Sequence, residues 1–309
     1  MKNLKLAAVC LSCLTMTGCS ALNFSVEGLI NAPKLTSEQS EIHQALIESV
    51  GSNITLKYPK NGEYRSAYVI ANIDDEPTDE AMVFYEYTSN GSEEDGLRVN
   101  ILDKDEDGKW YSVKELAGAG TDIDQVIISP MGSNNQTDVF VGYQNLTNDE
   151  KTMEIYSYTD GDFKRVALDT YSVLEPLDIN NDGYIELITI QRSTNNDTGA
   201  VTAKASMLNM KNNEITRGEN VDMCDNVTSY VSSKTGMLDS GRRAIFIDGL
   251  TADGKLQTEI IYYRYSGLQN PMQLRSEKLL PLCTRPAGYY SEDMDGDGDV
   301  EIPQVLCIK

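Results

Sequence analysis

The chain has 309 residues, with 26 basic against 48 acidic side chains and a formal net charge of −22. That length exceeds one small domain, stays within reach of one large β domain, and allows a core of ordinary size. The charge argues against nucleic acid and anionic membrane surfaces as partners, because both are themselves negative.

Lys2 and Lys5 precede LAAVCLSCLTMTG (6–18), an apolar run too short to span a bilayer. The pattern predicts a cleaved signal segment over residues 1–18. The run ends in MTGC (16–19), which resembles the lipobox of bacterial lipoproteins. That resemblance implies cleavage before Cys19 and a lipid on Cys19. The rest of the chain is then lipid-anchored to a membrane on its extracytoplasmic face. Cleavage would remove two lysines and no acids, so the remainder is more acidic still. Besides Cys19 it keeps Cys224, Cys283 and Cys307, so at most one intramolecular pair can form. There is no CxxC, which argues against structural zinc.

Residues 19–35 lack periodicity and read as a tether. TSEQSEIHQALIESVG (36–51) reads as an amphipathic helix, with Ile42, Ala45, Leu46 and Val50 on one face. Thr36 with Gln39, or Ser37 nearby, can cap its start, and Gly51 suits its end. From residue 52 the pattern changes to period two, with β-branched and aromatic runs between Asn/Asp/Gly turns. Residues 78–113, 137–166, 185–218 and 243–274 repeat one plan of strand, polar loop, strand, tight turn and strand. Glu80, Val139, Glu186, Arg243 and Glu301 align at intervals of 47 to 59 residues. With a preceding strand such as YRSAYVIAN (64–72), each unit has four strands. The predicted fold class is all-β: a β-propeller-like array of four-stranded blades over residues 52–309, with one short N-terminal helix. The last blade is incomplete. Either an N-terminal strand such as NITLKYP (53–59) helps to close a ring, or the array is short.

DMDGDGDVE (293–301) and DINNDGYIE (178–186) stand at the same place in their units, and both read D-x-[DN]-x-D-G-x-x-E. Alternate residues of a tight loop point inward together. Oxygens at positions one, three, five and nine, with a backbone carbonyl at seven, suit a hard cation of high coordination number. That cation is Ca²⁺. The candidate ligands are Asp178, Asn180, Asp182, Tyr184 and Glu186 in one loop, and Asp293, Asp295, Asp297, Asp299 and Glu301 in the other. An EF-hand is rejected, because position twelve holds Thr189 or Gln304 rather than glutamate and the flanks read as strands.

This motif between the first two strands of a repeating blade resembles the FG-GAP/VCBS-type propellers, especially secreted and lipid-anchored bacterial members. The resemblance covers residues 64–309. It implies Ca²⁺ in the loops joining strands one and two, and a role in adhesion, ligand binding or scaffolding. A weaker third loop, NIDDEPTDE (72–80), offers Asn72, Asp74, Glu76, Thr78 and Glu80, but Pro77 stands where glycine belongs. The second unit (131–139) has no acid at its first three ligand positions. The fourth (235–243) has Arg243 in place of the glutamate, and neither is expected to bind calcium. DKDEDGKW (103–110) reads as a hairpin turn. The longer loops 87–96, 145–151 and 192–199 join strands two and three and form the candidate partner surface, for a protein or a glycan.

His43 is the only histidine and is expected at the surface of the helix. No G-x-S-x-G, Walker A or G-x-G-x-x-G occurs, so the chain reads as a binding or scaffold module and not as an enzyme. One alternative is a carbohydrate-active hydrolase with a carboxylate pair, which acids lining a cleft outside the calcium loops would favour. Another is a structural accessory subunit of a membrane complex. The tyrosines of IIYYRY (260–265) and GYY (288–290) are expected to pack between blades rather than to stack on sugars.

Overall fold

The computed structural model describes residues 35–88, 96–130, 137–145, 150–194, 199, 201–211, 214–225, 227–238, 241–270 and 285–302. Contacts divide the chain into residues 1–40 and 41–309, and the β fold belongs to the second unit. The signal segment, Cys19 and most of the tether lie outside the described residues, as do Cys283 and Cys307, so the pairing of Cys224 is not described. Among the described residues no helix is long and apolar enough to cross a membrane.

Helix α1 (Ser37–Val50) starts with a reciprocal cap. The Thr36 N–H donates to Gln39 Oε1 and the Gln39 N–H donates to Thr36 Oγ1, both at 3.1 Å. Two backbone donors at the helix start are thereby satisfied. Gly51 ends the helix at φ +85°, a conformation that favours glycine.

Four antiparallel sheets follow in chain order. The first holds β1 (Ile54–Leu56), β2 (Tyr68–Ala71), β3 (Glu80–Tyr87), β4 (Leu97–Lys104) and β5 (Trp110–Ala117). The second runs β6 (Asp122–Pro130), β7 (Thr137–Gln144), β8 (Lys151–Thr159) and β9 (Asp162–Tyr171). The third runs β10 (Val173–Leu177), β11 (Glu186–Thr194), β12 (Val201–Lys211) and β13 (Glu214–Asp222). The fourth runs β14 (Val227–Leu238), β15 (Arg242–Thr251), β16 (Lys255–Arg264) and β17 (Gly267–Gln269), with β18 (Arg285–Pro286) pairing the start of β16. Each sheet is a meander of neighbouring strands, and the array is all-β and propeller-like.

The second strand of each sheet is buried on both faces, so it reads as a continuous apolar run. Its residues alternate between two cores. In β3, Ala81, Val83 and Tyr85 pack with Ile42, Ala45 and Leu46 of α1, while Met82 and Phe84 pack with Val139 and Val141 of β7. Phe140, on the other face of β7, meets Leu187 of β11. Ile188 and Ile190 meet Ile245 and Ile247 of β15. Ala244 and Phe246, on the far face of β15, meet Val300 and Ile302. The sheets therefore stack face to face in chain order. Burying a side chain such as Phe84 contributes about 1.5–3 kcal/mol.

Both ends of the stack are covered. Helix α1 lies on the outer face of the first sheet, and residues 300–302 lie on the outer face of the fourth. NITLKYP does not bring a strand to the last blade. Its strand β1 pairs with Tyr85–Tyr87 of β3, while β2 pairs with Glu80–Val83 of the same edge. The two short strands together make the first strand of the first sheet.

Two smaller expectations also change. His43 is half-buried, because its Nδ1 hydrogen-bonds the Tyr68 hydroxyl at 2.8 Å. Tyr289 and Tyr290 of GYY are exposed, as is Tyr265, whereas Tyr262 is buried. A Tyr in a turn has no neighbouring sheet to pack against.

Candidate metal centre

The three acidic loops close in one way. Each is bounded by a cross-strand pair: Ala71 with Glu80, Leu177 with Glu186, and Glu292 with Glu301. In each, the glutamate at position nine accepts a hydrogen bond from the backbone N–H of position two. Ile73 donates to Glu80 Oε2 at 2.9 Å, Ile179 to Glu186 Oε2 at 3.1 Å, and Met294 to Glu301 Oε2 at 2.8 Å. This bond pulls the glutamate over the loop and leaves its other oxygen for the interior.

Loops 178–186 and 293–301 agree further. The first aspartate accepts backbone N–H groups with both oxygens: Asp178 from Asp182 and Gly183, and Asp293 from Gly296 and Gly298. Position three accepts from the N–H of position five, and position five from that of position seven. Positions four and six take positive φ in both loops, +60° and +93° at Asn181 and Gly183, and +79° and +92° at Gly296 and Gly298. Only such a backbone lets every second side chain face one point. In the loop 72–80, Pro77 cannot take that φ. There Asn72 Nδ2 donates to the carbonyls of Glu76 and Thr78, so the amide occupies the position-seven oxygen.

The loops differ in how much negative charge stays uncompensated. Carboxylate oxygens of Asp293, Asp295 and Asp297 lie within 4.8 Å of one another, and all three residues are exposed. Oxygens bound to one Ca²⁺ at about 2.4 Å lie within about that distance of each other. In 178–186 the amide of Asn180 donates to Asp182 Oδ2 at 3.0 Å and to Glu186 Oε1 at 2.7 Å. Arg243 adds an ion pair to Asp178 at 3.0 Å. Burial, and then the nearby aspartates, push the carboxyls of Glu186 and Glu80 up to about 7, against the backbone N–H bonds that lower them.

The positions expected from sequence lie together in their loops, and Arg243, read from sequence only as a lost ligand, stands against Asp178. Loop positions 131–136 of the second unit and 239–240 of the fourth lie outside the described residues, as do most of the loops 87–96 and 145–151 and half of 192–199.

No family and no curated protein matches the chain. Solved structures with some likeness include AofleA from Arthrobotrys oligospora, at 12% identity and TM-score 0.30 over 62% of this chain and 53% of that one. A candidate 6-phosphogluconolactonase from Bacteroides fragilis gives 10% identity and TM-score 0.32 over 70% and 65%. The periplasmic gluconolactonase PpgL from Pseudomonas aeruginosa gives 9% and 0.28 over 70% and 74%. The chain thus spans 53% and 65% of the first two. At these scores no activity passes to this chain. The non-enzyme reading from sequence is nonetheless corrected, because two of these three structures bear enzyme names. A missing sequence motif is weak ground for excluding catalysis, since a carboxylate pair leaves no local signature.

Proposed function

We propose that the chain is an extracytoplasmic, lipid-anchored, calcium-binding propeller-like protein of the FG-GAP/VCBS type, which engages a protein or glycan at the cell surface. The observation that carries this reading is the hydrogen-bond scheme shared by loops 178–186 and 293–301, which in the second loop gathers the carboxylates of Asp293, Asp295 and Asp297. Such repulsion is relieved by a hard cation. Loop 293–301 holds the stronger site, loop 178–186 a weaker one, and loop 72–80 the weakest. The lipid on Cys19 would hold the protein at the membrane. Calorimetric titration of the soluble domain with Ca²⁺ tests the metal. Heat consistent with about two sites supports the reading, and no heat up to millimolar calcium removes it.

A second reading, a hydrolase with a carboxylate pair, is favoured by one observation: Asp124 and Glu175 line the same cavity.

A further inference from the structure

Arg243 belongs to the fourth sheet but reaches the third. Its guanidinium meets both Asp178 Oδ2 and the Asp178 carbonyl at 3.0 Å. On its own sheet Arg243 pairs across strands with Met237 of β14, and Met237 is bridged in turn to Asp299 of loop 293–301. Paired residues share a face, and successive residues of an extended segment alternate. Val300 packs on the far face of the fourth sheet with Ala244 and Phe246, so Asp299 beside it faces the other way, with Met237 and Arg243. The segment sits close to the sheet: a Cβ at Gly236 would lie 2.7 Å from Val300 Cγ2. Asp299, Met237 and Arg243 thus stand abreast on the face turned toward the third sheet. Two strand spacings, about 10 Å, separate the backbone of Arg243 from that of Asp299. Met237 between them is 39% exposed, so the arginine side chain has room to turn across it. One guanidinium therefore stands between two acidic loops. It is paired with the first ligand position of one and lies two strands from position seven of the other.

We propose that Arg243 makes the two calcium loops antagonistic, so that calcium in either one lowers the affinity of the other. The inference rests on the calcium reading of both loops. Calcium in loop 178–186 adds two positive charges beside Asp178 and drives the guanidinium off it, toward loop 293–301. Calcium in loop 293–301 adds its charge on the other side and holds the guanidinium on Asp178. Each ion thus favours a different position of one side chain, and that differential is what couples separate sites. The coupling is reciprocal, so its size does not depend on which site fills first. A unit charge acting on a divalent ion across about 10 Å of screened surface changes each affinity about two- to threefold. The protein then responds to calcium over a wider concentration range than two independent sites would give. Direct repulsion between the ions has the same sign but needs no arginine, and the variants separate the two causes.

NMR of the full chain reads the loops separately, because the Gly183 and Gly298 N–H groups each donate to the first aspartate of their own loop. Calcium titrations are followed at Gly298 in the parent and in Asp182→Ala, which disables loop 178–186. The affinity at Gly298 is about two- to threefold tighter in Asp182→Ala than in the parent, the size of the coupling. With Arg243→Gln added to both proteins, that gap shrinks by more than half. Arg243→Lys keeps the charge and retains most of the gap. Equal affinities in the parent and Asp182→Ala overturn the proposal and leave the calcium reading standing. A gap that Arg243→Gln leaves unchanged does the same. No calcium-dependent shift at either glycine overturns both.

Discussion

Arg243 Nη1 stands 3.0 Å from Asp178 Oδ2 and donates to the Asp178 carbonyl, also at 3.0 Å. Arg243 occupies the place in the fourth unit that Glu186 occupies in the third. The position that supplies a carboxylate to one loop therefore supplies a cation to its neighbour. Arg243→Gln removes a competitor for the first ligand. A partly exposed pair of this kind is worth about 0.2–1 kcal/mol. Calcium affinity at loop 178–186 should rise by about two- to fivefold, read by terbium luminescence or calorimetry with Asp297→Ala as background. Weaker binding in the variant would show that the arginine organises the loop rather than competing for it.

Calcium should stabilise the domain modestly. At about 1 mM calcium and a dissociation constant near 10⁻⁴ M, one site adds about 1.4 kcal/mol. For a domain of this size that shifts the melting temperature by about 3–6 °C. Asp297→Ala should remove most of the rise and Asp182→Ala a smaller part. Identical melting curves in calcium and in chelator would mean that the acidic loops are solvated turns.

Gly142→Ala should be costly. A Cβ there would lie 2.0 Å from the Tyr171 hydroxyl, which donates to buried Asp124. Displacing that ring strains the core and takes a partner from a buried charge, for a loss of about 2–4 kcal/mol in urea denaturation. Tyr171→Phe should lose about 1–2 kcal/mol, because Asn61 and Lys151 remain on Asp124. A neutral Gly142→Ala would show that β7 can move away from Tyr171.

Leu46 is fully buried between α1 and the first sheet. Leu46→Ala should destabilise by about 2–5 kcal/mol and loosen the helix from the Val83–Tyr85 face. Increased dye binding by exposed apolar surface would report it, and an unchanged denaturation midpoint would argue against a covering role for α1.

Glu259 gives the fold a pH dependence. Its Oε1 has no partner among the described residues, while Oε2 accepts from the Cys224 N–H and the Asn270 amide, both at 2.9 Å. Burial pushes its carboxyl above the ordinary 4.5, against those two bonds, which lower it. The folded state therefore holds this proton more tightly than the unfolded state. Its contribution is fully present below pH 4.5 and is lost as pH rises through the raised value. Glu259→Gln should lose less stability than the parent as pH rises above 4.5. Parallel pH profiles for both proteins would mean that Glu259 ionises freely.

The second strands and the acidic loops were legible in the sequence because each is local. ELITI after DINNDGYI shows its buried strand and its loop within thirteen residues, and Glu80, Glu186 and Glu301 keep their register. The helix was legible for the same reason, through Thr36, Gln39 and the Ile42–Leu46 face. Three features were not. Arg243 and Asp178 are far apart in the chain, and nothing local marks a charge that reaches a neighbouring sheet. The cavity collects Asp124, Lys151, Glu175 and Tyr230 from four strands with no shared spacing. The division of one edge between β1 and β2 is invisible because each is too short to show a period.

That division governs the order of assembly. Between β1 and β2 the chain leaves the edge of β3 and reaches the second sheet. There the N–H groups of Lys60 and Asn61 donate to the Asp124 carbonyl at 3.0 and 2.7 Å, and Lys60 Nζ meets Asp122 at 2.8 Å. The first sheet cannot gain its full complement of hydrogen bonds until β6 is in place. During synthesis the amino-terminal half should thus remain unfinished until about residue 171 has emerged, and then condense as a single cooperative step. Pulsed hydrogen exchange during refolding would reveal it as simultaneous protection of β3 and β7, and protection of β3 well ahead of β7 would contradict it.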